Sequence, residues 1–269
     1  MTSHRLAPRL AAALAGYVWP PRLNKLRYII RRVLHRRSIL EVAESPLNGR
    51  IVVTELGKER RLVFGADSQG VTQSVAFTRG SWRELQREYW GQALRPPFGL
   101  ADRPRVLILG LGGGTMVHLA HRTLNPKSIT VVELDPEVVR LARSHMGLDA
   151  IPGLDTRIQD ARVAMKELSG SSFDLVVDDV FFKGFPGETD DFVREYIAEL
   201  SALLSPDGTV TFDRWSRTRS GHHEGADTER LVRLLEECFL RVALTRVEQR
   251  WHNELISASG LRRPIAPSS

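Results

Sequence analysis

"RVLILGLGGGTMVHLA", residues 105–120, decides how this chain folds. An apolar run ending at Leu109 meets glycines at positions 110, 112, 113 and 114, and a helical pattern begins near Thr115. Strand, glycine-rich turn and helix together open an α/β unit, in which ligands bind beyond the carboxyl ends of parallel strands, near the reversal of strand order. Gly110, Gly112, Gly113 and Gly114 permit positive φ and put no Cβ between backbone and ligand, so a nucleoside could lie against the main chain. A purely structural turn is the other use for such a cluster.

Three further features fall at strand ends downstream. Glu133 closes "ITVVEL" 23 residues after Gly110, where a carboxylate can accept hydrogen bonds from both ribose hydroxyls. Asp160, followed by Ala161, ends "TRIQ"; the carboxylate could take the adenine amino group and the small neighbour leaves room for the ring. Asp160 also suits the N-cap of "ARVAMKEL", and the two roles are compatible. "FDLVVDD" ends in Asp178 and Asp179, adjacent carboxylates suited to a base or a cation-binding group. Phe181, Phe182 and Phe185 then lie among glycines, either as an aromatic lid or as closure of a sheet edge. A dinucleotide fingerprint would need glycine where Thr115 stands, and it leaves Asp160 and Asp178/Asp179 without a role. An adenosine-bearing sulfonium donor uses all four features.

The segments around this core follow from their patterning. "ILEVAES", "GRIVVTEL", "RRLVFG" and "GVTQSVAF", separated by turn residues, predict a small antiparallel sheet. "SWRELQREYWGQAL" predicts a helix capped by Ser81 with Glu84 in the capping-box position, followed by the linker "RPPFGLADRP". Beyond Arg105, apolar strands alternate with amphipathic helices, the pattern of a parallel sheet covered on both faces. "RVALTRVE" and "WHNELISAS" predict a closing antiparallel hairpin. The expected organisation is a basic segment over 1–37, a β-rich unit with its linking helix over 38–100, a Rossmann-like nucleoside-binding unit over 101–260 and a tail over 261–269.

The net charge of +6 divides unevenly, since residues 1–40 carry nine Arg or Lys and no acid while the remainder carries 29 basic against 32 acidic residues. Basicity therefore belongs to the first segment, and no specific nucleic-acid partner is expected. "LAAALAGYVW" is too short to span a bilayer and lacks a cleavage site after it. "RLNKLRYIIRRVLHRR" lines up Leu23, Leu26, Ile30 and Val33, giving a helix that packs on the main unit or makes weak contact with an anionic surface through residues 22–37. The expected location is cytoplasmic, with membrane association only through that helix. The lone Cys238 sits among leucines and reads as a buried thiol. "GHHEG" at 221–225 lacks helical metal-ligand spacing, so no metal is expected, and Trp215 and Trp251 read as core or interface.

The run "RVLILGLGGGT", "ITVVELDPEVVRLAR", "RIQDAR", "FDLVVDD" resembles the spermidine synthase branch of the class I S-adenosylmethionine-dependent transferases. "ADSQGVTQSV" and "REYW" are similar to the Gln and Tyr motifs of that branch, and the likeness covers roughly 40–258. The resemblance implies a Rossmann-like class I methyltransferase sheet preceded by a small antiparallel β unit. It implies Glu133 as ribose ligand, Asp160 as adenine ligand, Gln73 and Tyr89 on the acceptor side, and Asp179 as proton acceptor with Asp178 as its stand-in; Phe181 and Phe182 are expected at the acceptor pocket from the lid reading alone. An amine acceptor, a homodimer, and decarboxylated or intact S-adenosylmethionine as co-substrate are expected with it.

Three positions depart from the family pattern. Gly113 occupies the place of a loop aspartate that grips the donor's amino group, Phe182 that of a second aspartate, and Trp90-Gly91 that of a polar residue and glutamate. Aminopropyl-type transfer to a small amine is thus the leading expectation, methyl transfer from S-adenosylmethionine the alternative, and a non-catalytic nucleoside-binding scaffold the third.

Overall fold

Four short strands lead the fold in the computed structural model, which describes residues 38–65, 71–78, 82–180, 188–215, 225–248 and 252–262. They are β1 (Ser38–Ser45), β2 (Gly49–Leu56), β3 (Glu59–Phe64) and β4 (Val71–Phe77), paired antiparallel in chain order. The basic segment 1–37, the "GHHEG" stretch up to residue 224, the tail beyond 262 and the side chains of Trp215 and Trp251 lie outside the described residues.

Sequence patterning predicts one capped helix across 81–94, and the structure differs. Leu85–Arg87 form a 3-10 turn, Glu88 is extended (φ −79°, ψ 171°), and a short α1 occupies Tyr89–Ala93; Ser81 lies outside the described residues. The break at Glu88 re-aims the chain into α1, where Tyr89 and Trp90 are both buried, with ring centroids 4.4 Å apart, alongside Trp82 and Leu85. Gly91 makes the tight return possible, because a Cβ there would fall 2.3 Å from the Gln86 Cα.

The second sheet comprises β5 (Arg105–Leu109), β6 (Ser128–Glu133), β7 (Leu154–Ile158), β8 (Phe173–Asp178), β9 (Leu204–Trp215), β10 (Phe239–Glu248) and β11 (His252–Leu261). Its spatial order is β10-β11-β9-β8-β5-β6-β7, with β5 to β9 parallel and β11 running antiparallel between β9 and β10. The chain winds outward from β5 in both directions, so β5 and β8 flank the reversal of strand order. Helices α2 (Thr115–Leu124), α3 (Pro136–Met146), α4 (Ala161–Glu167), α5 (Asp190–Ser201) and α6 (Gly225–Cys238) cover the faces.

Alternation along β5 separates two apolar layers. Val106 and Ile108 join Met116, Val117 and Leu141 in one layer; Leu107 and Leu109 join Ala164, Ile197 and Leu234 in the other. The first layer also contains Ile51, Val53, Leu62 and Val75, so the small sheet shares its core with the large one. Helix starts follow local rules: Asp135 caps α3 by accepting from Glu137 N at 2.9 Å with Pro136 next in line, and Thr189 caps α5 through Phe192 N at 3.2 Å. Cys238 is half-buried and free, with its thiol pKa pushed up by burial. No helix among the described residues is long and apolar enough to cross a membrane.

Candidate active site

A cavity of about 240 Å³ lies beyond the carboxyl ends of the parallel strands, between them and β4. Gly110, Gly112, Glu133, Asp160 and Ala161 line one side, and Gln73, Tyr89, Asp179, Asp213 and Asn253 line the other.

The glycine loop is built on Glu133. One of its carboxylate oxygens accepts from Leu111 N at 3.0 Å and Gly112 N at 3.3 Å, and the other accepts from Asp135 N at 3.0 Å. Burial pushes the Glu133 pKa up while these three N–H groups pull it down. Gly110 and Gly112 have φ of 92° and 50°, and a Cβ on Gly110 would come within 3.1 Å of the Asp179 carbonyl oxygen. Asp160 accepts through one oxygen from Arg162 N at 2.8 Å and Val163 N at 3.3 Å, capping α4 and leaving its second oxygen free of those bonds.

Gly113 and Gly114 serve a different purpose. Gly113 N donates to Ser74 Oγ at 2.6 Å, and a Cβ at position 113 would meet Ser74 Cβ at 2.7 Å and Met146 Cε at 2.9 Å. Next to it, Thr115 Oγ1 accepts from Val75 N at 3.0 Å and donates to Val75 O at 2.9 Å. Gly114, with φ of 82°, is the left-handed N-cap of α2 beside Leu148. These two glycines admit β4 to the loop rather than lining the cavity.

Opposite the loop, the two aspartates that end β8 part company. Asp178 is fully buried outside the cavity lining, where its carboxylate accepts from Val180 N at 3.1 Å, stands near Tyr196 and lies 3.6 Å from the Arg214 guanidinium. Asp179 faces the cavity. Parallel pairing of Asp178 with Phe212 brings Asp179 alongside Asp213, and the two carboxyls act directly on each other. Burial and the neighbouring Asp213 charge hold the Asp179 pKa well above the usual carboxylate range; burial raises Asp213 to about 6. Two such groups side by side are suited to sharing one proton. Asn253 Nδ2 donates to both Asp213 oxygens at 2.9 and 3.0 Å. Tyr89 stays a neutral hydroxyl, its pKa pushed far up by burial and then by Asp179.

Of the residues expected from sequence, the cavity thus gathers Gly110, Gly112, Glu133, Asp160, Ala161, Gln73, Tyr89 and Asp179. It leaves out Gly113, Gly114 and Asp178; successive strand residues point to opposite sides, which is why only one of the paired aspartates reaches it. Phe181 and Phe182 lie outside the described residues. Asp213 and Asn253 were missed. Asp213 had a readable signal, an acid near the carboxyl end of a parallel strand like Glu133 and Asp179, whereas Asn253 had none.

Comparison with known proteins agrees with this architecture. The chain is 35% identical over 184 residues to the polyamine aminopropyltransferase of Vibrio vulnificus, a match covering 65% of this chain and 59% of that enzyme. The chain therefore spans less than two thirds of that relative. The spermidine synthase structure from Thermotoga maritima superposes with a TM-score of 0.58 at 16% identity, covering 84% of this chain and 74% of that one. Human methyltransferase-like protein 13 in complex with SAH gives 0.52 at 19% identity, covering 70% and 86%. The family model for the spermine/spermidine synthase domain matches residues 97–239, more than half the chain, and the chain belongs to that family.

Proposed function

We propose that this protein transfers an aminopropyl-type alkyl group from a sulfonium nucleoside to a small amine. The observation that carries this is the pairing, across one cavity, of a backbone-lined loop on Glu133 with the neighbouring carboxyls of Asp179 and Asp213. On the loop side, Gly110 and Gly112 would lie against the nucleoside, Glu133 would take the ribose and Asp160 the adenine amino group, with Ala161 leaving room for the ring. Decarboxylated S-adenosylmethionine is the donor this arrangement favours.

At the other end, Asp179 would take the proton of the acceptor amine. The neutral nitrogen then bonds to the methylene beside the sulfonium, the carbon–sulfur bond breaks, and its electron pair returns to sulfur as a neutral thioether. The leaving group needs no acid, so most of the acceleration comes from holding nitrogen, carbon and sulfur in line, which Gln73 and Tyr89 would assist from the acceptor side.

Methyl transfer from intact S-adenosylmethionine is the second reading. Its support is that the loop glycines put no carboxylate into the cavity, so nothing on the loop itself opposes the donor's carboxylate. Incubating the purified chain with each donor and a panel of small amines, and measuring release of methylthioadenosine or S-adenosylhomocysteine, tests both. Methylthioadenosine formation that requires an amine supports aminopropyl transfer. Release of S-adenosylhomocysteine alone overturns it in favour of methyl transfer, and no turnover with either donor overturns both.

A further inference from the structure

We propose that Asp213 and Asn253 complete, with Asp179, a subsite for the primary ammonium of the acceptor, which displaces the proton shared by the two carboxyls. The inference rests on the transfer reading above and names the residues that receive its amine.

Three observations converge on this corner of the cavity. Asp213 and Asn253 are 1% and 5% exposed, yet both belong to the cavity wall, so they are buried against the protein and open only to what enters. Asn253 spends its amide N–H group on Asp213, which orients its oxygen; among the described residues that Oδ1 is buried without a hydrogen-bond partner. A buried acceptor left alone is costly, and a ligand donor relieves it. A primary ammonium carries three N–H donors, and the three lining residues of this corner carry acceptors to match: the Asp179 carboxyl, the Asp213 carboxyl and the amide oxygen of Asn253.

Charge points the same way. The groups facing the pair are Asp178 from β8, Arg214 from β9 and the neutral Tyr89 from α1, so three carboxyls stand against one guanidinium. The surplus is negative, and a proton shared by Asp179 and Asp213 offsets part of it when the site is empty of cation. An incoming ammonium carries the same charge, and the proton leaves to solvent. The bound ammonium can then return one N–H proton to Asp179, which leaves the neutral nitrogen its lone pair for attack. Asp213 acts by tuning and sharing, and Asn253 by holding Asp213 and accepting from the ammonium.

Titration calorimetry of the full chain saturated with methylthioadenosine tests this, with 1,4-diaminobutane as probe at pH 7 in buffers of different ionisation enthalpy. The unaltered chain is expected to release about one proton per amine bound. Asp213→Asn is expected to lose most of that release and to weaken the amine at least about tenfold, with methylthioadenosine affinity held within about twofold. Asn253→Leu should weaken the amine similarly while proton release persists. On the unaltered chain, which removes any question of folding, a fully N-methylated diamine should bind at least about tenfold more weakly, having no N–H to offer. Amine binding without proton release, release unchanged in Asp213→Asn, equal affinity for the N-methylated probe, or no amine binding at all overturns the subsite. Amine binding with proton release but no turnover keeps the subsite and sinks the transfer reading. Turnover with Asp213→Asn behaving as the unaltered chain does the reverse.

Discussion

The two ends of the cavity hold their carboxylates in opposite ways. On the loop side, Glu133 accepts three backbone N–H groups and Asp160 accepts two, so each acid is held by chain within a few residues or by the neighbouring turn. At the far end, Asp179 just past β8 and Asp213 on β9 stand side by side, and Asn253 on β11 holds Asp213. Backbone donors fix a charge in place; a second carboxyl leaves it mobile, because the proton can move between the two. A loop-side acid is therefore suited to holding a ligand and a paired acid to exchanging a proton.

That contrast can be broken most severely at Asp179. Asp179→Asn should lower transfer by about 10³-fold while methylthioadenosine binding, measured by calorimetry, stays within about twofold. A parallel loss of nucleoside affinity would show that the two ends are not separable. Gly113→Asp should lower stability by about 3 kcal/mol without improving activity with the decarboxylated donor, because its Cβ is aimed at Ser74 and Met146 rather than at the cavity. Thermal melting and a donor comparison check this, and an unchanged melting temperature would contradict it.

The paired acids also predict a pH signature. A carboxyl with a raised folded-state pKa binds its proton more tightly folded than unfolded. Its contribution is complete below about pH 4 and is lost as pH climbs through the folded value, near 6 for Asp213, with Asp179 raised in the same direction. The ligand-free chain should therefore lose on the order of 2 kcal/mol between pH 5 and 8 relative to Asp213→Asn, as read by denaturant melts. The smallest effect belongs to the loop side: Asp160→Ala should cost about 1 kcal/mol through the α4 cap and weaken methylthioadenosine, leaving the amine KM unchanged. A shift in amine KM would erase the division between the ends.

The same contrast explains what could be read from sequence. Strand, loop and helix around Gly110, the acids Glu133 and Asp160, and the four strands of the small sheet are set by residues adjacent in the chain, whose periodicity and turn chemistry are legible. The helix expected over 81–94 failed because burying Tyr89 and Trp90 together is a tertiary demand that overrides local propensity. Asp213 and Asn253 are 40 residues apart and meet only through the β9–β11 pairing, a contact that local pattern does not encode.

Ser74 touching the loop at Gly113 has a consequence for descent within the family. Restoring an aspartate at position 113 meets an obstacle on β4 before it can reach a ligand, so the value of that substitution depends on what stands at positions 74 and 146. Position 113 and its neighbours can then change only in a permitted order: the partner must shrink first. A lineage that had lost the loop aspartate and filled the gap with Ser74 and Met146 would be held there by packing alone, long after any selection on its donor had ceased.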